Sequence, residues 1–507
     1  VSGCNNNFVS LGGGTGVSLW DLGNHPLALG NTLGGIAAGT NNFMTLFSGG
    51  VLTNVAAVIL SGSGSLLKFN GGTLAAGASG YLISNAPGAV SYTNYVQAGG
   101  AVINDCGYWV TNPLPMLQDP NSTGGGLTKL GSGTLALFGG TTFTGPMTIS
   151  AGALVIGGTG LLGNGNYSSA LVNNGVFTYA STAAQTMGGV ISGPGQLSIN
   201  SGALLLTGIN TYTGPTVISA GTLVVGGMGL LGSGNYSSAL INNGVFTYAS
   251  TASQILSGVI SGTGSTIINS GTLLLNGDAS AATNLLTVNG GFFGGTGTNG
   301  GNVVMNAGSG LVPGGTGGVG TLTLTNNLTL NGNNLCFDLV TNAPTTNDLV
   351  VVGNTLYLTN ANSVTLTVAN GIPAGNYTLM TFANGYVGTG TFALAGFTNK
   401  ATLALNANSL VLQVGADGIY PDTWKGYVNG TWDISVSNWI NNGTATHFNA
   451  GDNVLFDDTL VKSSTISNAS PGAVVSPNSV LFNNNLTNYT IKANIAGTGG
   501  LTLSGSA

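Results

Sequence analysis

The chain has 507 residues, 4% of them charged, with a net charge of -6 at neutral pH. All six cations are Lys and all twelve anions are Asp, so Arg and Glu are absent. That composition excludes a nucleic-acid surface, catalysis by paired glutamates, and long solvated helices, whose charged helix formers are missing.

Gly accounts for 89 residues and the hydrophobic types for 42%. The apolar fraction is enough for a core, which separates the chain from disordered low-complexity sequence. Gly follows no three-residue period, which removes collagen. The apolar run around Val55–Leu60 is far shorter than the ~18 residues a bilayer span needs, so no membrane span is expected.

In chain order, residues 1–125 read as irregular, strand-rich coils ending in the Pro-containing passage TNPLPMLQDPNSTGGG. The opening VSGCNNNFVSLGG has no Met and no basic leader, so a signal peptide is expected to be removed or to lie outside this chain. Gly-rich GGGTG at 12–16 lacks the Lys-Ser/Thr and the helix of a phosphate loop. Cys4, Cys106 and Cys336 form no CxxC pair, which argues against zinc or thioredoxin-like chemistry. Buried thiols are the expectation, with a disulfide or an intermolecular link as alternatives.

Residues 126–277 repeat themselves. Ser150–Gly193 and Ser219–Gly262 are identical at 35 of 44 positions with an offset of 69. The offset extends outward to Gly133, Gly202 and Gly271, each followed by a strand-like run: TLALFG, ALLLTG and TLLLNG. Short apolar runs such as TLVV at 222–225 and VFTY at 245–248 alternate with Gly, Asn and Thr, a strand-and-turn pattern without helical spacing. An offset of 69 is three times 23, and ~20–30 residues is one solenoid coil, so the repeat is expected to span three coils. Each strand then pairs with its neighbour one coil away, Leu, Val and Ile stack inward, and Asn and Gly occupy corners. The NNG runs at 173–175 and 242–244 are the corner candidates. Charges stacked on like charges would be costly, which accounts for their scarcity.

Residues 278–416 read as degenerate coils with longer strands, including VTLTVA at 364–369 and SLVLQV at 409–414. Residues 417–507 form a Trp-bearing module leading into a further repeat, and it is the expected place of a structural interruption. Trp424, Trp432 and Trp439 are either a sugar-binding platform or a plug where the apolar column changes register.

The stretch GLTKLGSGTLALFGGTTFTGPMTISAGALVIG at 126–157, and SGALLLTGINTYTGPTVISAGTLVVG at 201–226, closely resemble the autotransporter-associated β-strand repeat. The passages at 96–114, 292–330 and 424–458 resemble sequence around such repeat blocks in large bacterial surface proteins. The resemblance implies a right-handed parallel β-helix, a solenoid of about 20–25 residues per coil. It also implies export to the outside of a diderm bacterium, with no catalytic activity and no cofactor. A C-terminal membrane barrel is implied as well, expected beyond residue 507 or replaced by another export route.

Chemistry is sparse. Asp457 and Asp458 are the only adjacent acids, with Asp433 and Asp452 nearby, and their spacing is not that of a calcium loop. They read as turn acids. His25 and His447 are isolated from any nucleophile. Both chain ends look like continuations of a solenoid. The candidate subunit contacts are therefore Val1, Ser2, Gly3, Cys4, Leu501, Thr502 and Leu503, with the same chain or its further repeats as partner. The expected function is a non-catalytic structural protein of an extracellular fibre or stalk that assembles end to end. An adhesin contacting extracellular glycans through Trp424, Trp432 and Trp439 is the alternative, and a polysaccharide-degrading β-helix the third.

Overall fold

The computed structural model describes residues 8–506 apart from 15, 30–41, 62–63, 87–91, 316, 341–346, 369–370, 398–399, 416–417 and 498–499. They form two compact units, divided between residues 287 and 288. The described structure is all-β, and its regular sheets are built by parallel pairing between successive coils. Apolar side chains that alternate along each strand point into the interior, as in Leu154 and Ile156 or Phe246 and Tyr248.

In the first unit each coil contributes to three faces. One face runs through Trp109–Asn112, Thr134–Leu137, Ala153–Gly158, Val176–Ser181, Gln196–Ile199, Thr216–Ile218 and Leu240–Asn242. A second holds Asn166–Tyr167, Ala184–Met187, Ala203–Leu206, Thr222–Gly227 and Val245–Ser250. The third begins with Ala101–Asn104, Leu127–Leu130, Met147–Ile149, Leu171–Asn173 and Ile191–Ser192. It passes through backbone bonds at 209–212 and 230–233 to Asn235–Tyr236 and Ser253–Leu256.

Register corrects the expected three coils per repeat. Thr134 lies beside Ala153, Ala153 beside Val176, and Val176 beside Gln196, so three coils carry the chain from Thr134 to Gln196. The sequence equivalent of Thr134 is Ala203, seven positions further on, and Ala203 lies on the next face beside Ala184 and Thr222. One repeat is therefore three coils plus one side. The same shift moves Leu127–Leu130 from the third face to the first at Gln196–Ile199, and Asn166–Tyr167 from the second to the third at Asn235–Tyr236.

The NNG corners take a definite form. Asn173 is buried; its amide donates to Gln196 O one coil on at 2.8 Å, and its Oδ1 accepts from Gly175 N at 3.2 Å. Asn242 repeats this with Ser265 O and Gly244 N. Gly is needed after it for space: a Cβ on Gly244 would stand 2.5 Å from Gly221 O of the preceding coil.

In the second unit the coils lengthen. Val303 pairs with Leu328, Leu328 with Leu356 and Leu356 with Tyr386, so each step along the chain is longer than the one before. Asn side chains link coils here, as Asn360 Nδ2 does to Asn331 Oδ1 at 2.6 Å and Asn384 Nδ2 to Asn354 Oδ1 at 2.6 Å. Parallel stacking breaks earlier than expected. Gly375–Phe382 pairs antiparallel with Ser409–Val414, which pairs antiparallel with Ala401–Asn406. Asp422–Trp424, Trp439–Asn441 and Thr444–Thr446 are also antiparallel neighbours. Parallel coils resume through Asn453–Asp457, Ser479–Asn483 and Gly500–Leu503.

Candidate functional site

Trp424, Trp432 and Trp439 form the centre of the resumed stack. All three are 0% exposed and are packed with Phe448, Phe456 and Ile466. Ring centroids lie 4.9 Å apart for Trp424–Trp439 and 5.2 Å for Trp432–Trp439, both edge-on. Phe482 stacks on Phe456 at 4.6 Å and carries the aromatic column into the next coil. A ring without exposed surface cannot stack on a sugar, so the glycan-contact expectation does not hold for these residues. They plug the point where antiparallel pairing gives way to parallel coils. Trp424 Nε1 donates to Ser463 O at 2.7 Å, whereas Trp432 Nε1 and Trp439 Nε1 are buried without a partner.

Of the subunit-contact candidates, Val1, Ser2, Gly3 and Cys4 lie outside the described residues. Leu501, Thr502 and Leu503 sit together on Gly500–Leu503, which has a strand neighbour on one side only among the described residues. Leu501 and Leu503 are 66% and 75% exposed. Beside them Pro477, Ser479, Val480, Ile495 and Leu501 line an uncharged cleft of about 260 Å³.

The acids do structural work. Asp458 accepts from the backbone N–H groups of Asn485, Leu486 and Thr487, which hold its carboxyl below the usual range. Asp457 accepts from Thr459 N at 2.9 Å and pairs with Lys425 at 3.6 Å. His25 and His447 are exposed. Among the described residues no three His, Cys or acidic side chains gather as metal ligands, and no helix is long and apolar enough to cross a membrane. Cys106 corrects the buried-thiol expectation: it is exposed in a turn with φ 52° and is unpaired, as is the half-buried Cys336.

Two charge clusters escaped the sequence reading. Lys129 and Asp105 form an ion pair with both side chains 0% exposed. Lys129 Nζ also donates to Gly131 O, Gly133 O and Ala151 O at 2.6–3.0 Å. Asp105 Oδ1 accepts from Gly107 N and Gly133 N. The available signal was a lone Lys inside the apolar run LTKL, replaced by Ser198 in the next copy. In the second unit Lys400 Nζ stands 3.3 Å from Asp422 Oδ1 and 3.2 Å from Asp452 Oδ1. Burial, and then the adjacent Asp452 carboxyl, push Asp422 up to about 7 against the pull of Lys400. Burial likewise pushes Asp348 up to about 7. Such charges act as staples, since each ion pair joins segments well separated in sequence, Lys400 and Asp422 being the nearest two.

Comparison with known proteins agrees with this geometry. Residues 127–156 and 199–225 match the passenger-associated-transport-repeat family. These are equivalent segments of successive repeats, set one face apart. Over 157 residues the chain is 31% identical to the adhesin BmaC autotransporter of Brucella suis biovar 1, a stretch covering 31% of this chain and 3% of that adhesin. The chain thus spans only a small part of the length of the curated relative it matches. Parallel coils, their register and the matched segments together show a chain that carries autotransporter passenger-type repeats.

Proposed function

We propose that the chain is a non-catalytic segment of a surface-exposed passenger, on the outside of a diderm bacterium, and that its work is mechanical. The observation that carries this is the inter-coil ladder of the first unit. Backbone bonds run in register from coil to coil, and buried polar side chains are consumed in holding adjacent coils. Gln185 donates to Leu162 O and accepts from Leu162 N, and Gln254 does the same with Leu231. Such a ladder resists extension along the stack and offers little to a protease specific for basic residues. The test is shaving of intact cells of the source organism with a protease of broad specificity, followed by antibody detection of this chain. Surface release supports the reading, and full protection in intact cells with release after lysis refutes it.

The finer form of the proposal is growth by strand stacking. The open edge of Gly500–Leu503, its exposed Leu501 and Leu503, and the adjacent uncharged cleft support docking of a further coil, supplied by later repeats of the same chain or by a second copy. Electron microscopy of the purified chain separates these sources. Filaments lost on Thr502→Pro indicate a second copy; particles that stay single at high concentration indicate later repeats. An adhesive role is supported by the similarity to a protein named an adhesin.

A further inference from the structure

Four of the five aromatic residues exposed in the described part of the first unit are gathered where its first face begins; the fifth, Trp20, lies on another sheet. Tyr81 is 61% exposed, Trp109 57%, and Tyr108 and Phe138 39% each. Thr111 lies beside Tyr81 on the adjacent coil, and Trp109 beside Thr134 on the next. Val110 packs into the core, so alternation puts Trp109 and Thr111 on the other side of the strand; Tyr81, opposite Thr111, lies on that side too, and Thr111 itself is covered at 7% exposure. Trp109 and Tyr81 are thus diagonal neighbours on the outer side of this sheet. Trp109 N donates to Ser79 Oγ at 3.4 Å, which ties the two coils at this point.

Three features define what this surface fits. The rings are not spent on one another: among the described residues Tyr81, Tyr108 and Trp109 make no aromatic ring contact, while Phe138 lies down over Gly157. Their polar edges are free as well, since neither phenol nor the indole N–H has a partner among the described residues. The surface also carries no charged side chain: Asp105, four residues before Trp109, and its partner Lys129 are sealed against each other in the interior. Rigid rings with free hydroxyl and N–H edges, Ser and Thr around them and no charge, complement a sugar: C–H faces for the rings and hydroxyls for the edges. Without exposed Lys or Arg the surface has no means of holding an anion. A stable protein partner buries ~20–30 residues a side, far more than these four.

We propose that Tyr81, Tyr108 and Trp109 form a contact surface for a neutral polysaccharide chain laid across the coils, whose ~4.8 Å spacing is close to the length of one sugar ring. The proposal rests on the surface-passenger reading for its biological setting, yet its test does not. Trp109 at 57% and Trp20 at 37% are the exposed two of the five Trp residues, so acrylamide quenching of Trp emission in the purified Trp20→Phe chain reports on Trp109. Chito-, cello- and manno-oligosaccharides and dextran are the neutral probes, with polygalacturonate and heparin as anionic ones. The expected result is protection from quenching by at least one neutral probe and by neither anionic one. Affinity then falls about tenfold in Tyr81→Ala, which keeps the reporter. In Trp109→Ala binding is lost by pull-down on the immobilised sugar, with circular dichroism unchanged. The proposal is overturned by no protection from any neutral probe, by equal binding in Tyr81→Ala, or by a sedimenting oligomer that Trp109→Ala dissolves. Cell shaving that shows an internal location would remove the surface-passenger reading while leaving the quenching result standing.

Discussion

Removing the Lys129 side chain gives the most demanding test of the inter-coil staples. In Lys129→Met the stem remains, but Asp105 is left without its cation at 0% exposure and three backbone carbonyls lose a donor. Breaking a buried pair from one side costs roughly 3–5 kcal/mol, mostly the burial of an unpaired charge. Adding Asp105→Asn removes that charge, and its amide oxygen can still accept from Gly107 N and Gly133 N. The double variant should therefore regain more than half of the loss. Solenoids do not unfold in one step, so the readout is amide hydrogen exchange on Ala101–Asn104, Leu127–Leu130 and Met147–Ile149. Protection should fall by roughly two to four orders of magnitude in Lys129→Met and recover in the double variant. Protection within threefold of the parent in the single variant, or no recovery in the double, would refute the reasoning.

Trp432→Ala opens a cavity in the aromatic plug and should cost about 3–5 kcal/mol, seen as a lower urea midpoint of the Trp emission shift; Trp109→Ala should stay within about 0.5 kcal/mol of the parent. In the first unit, Tyr212 Oη and Tyr236 Oη both bond Thr216 Oγ1, at 2.7 and 2.8 Å, inside the core. Thr216→Val strands the Tyr212 hydroxyl and should cost about 1–3 kcal/mol in local exchange. Combining Thr216→Met with Tyr212→Phe reproduces the Phe143 and Met147 of the preceding copy and should recover it. Gly244→Ala forces a Cβ against Gly221 O and should cost about 1–3 kcal/mol, whereas Gly140→Ala meets nothing within 4 Å. Asp348 and Asp422 titrate near 7 when folded and near 3.9 when unfolded, so between those values the folded state holds the extra protons. The second unit should lose stability as pH rises from about 4 to 7, on the order of 1–4 kcal/mol per group, with the Trp-emission urea midpoint lower at pH 8 than at pH 4.5; Asp422→Asn should flatten the curve.

Much of the fold was legible because a stack repeats one local rule. Alternating Leu and Val at Ala153–Gly158 and Thr222–Gly227, Asn at the corners and the offset of 69 each report it independently. What the offset alone could not reveal is phase. A repeat that returns to the same sequence need not return to the same face, and only the pairing of Ala203 with Ala184 and Thr222 shows that it does not. The Trp residues illustrate the other limit. Spacing marked Trp424, Trp432 and Trp439 as special but cannot tell an exposed platform from a plug, because antiparallel pairing between Asp422–Trp424 and Trp439–Asn441 decides it over a distance. The exposed pair Tyr81 and Trp109 is a full coil apart in sequence and becomes a neighbourhood only through coil register.

Three coils run from Thr134 to Gln196 whereas one repeat runs from Thr134 to Ala203, and this mismatch has a consequence for how such a chain changes length. Duplicating a repeat by recombination is a screw operation. It lengthens the stack by just over three layers and turns whatever coil follows it by a third of a revolution. One added copy re-aims the surface carried downstream, a second re-aims it again, and a third restores the original heading. Copy number then sets direction as well as reach, and no residue in the displaced coils has to mutate for a binding surface to face a new side.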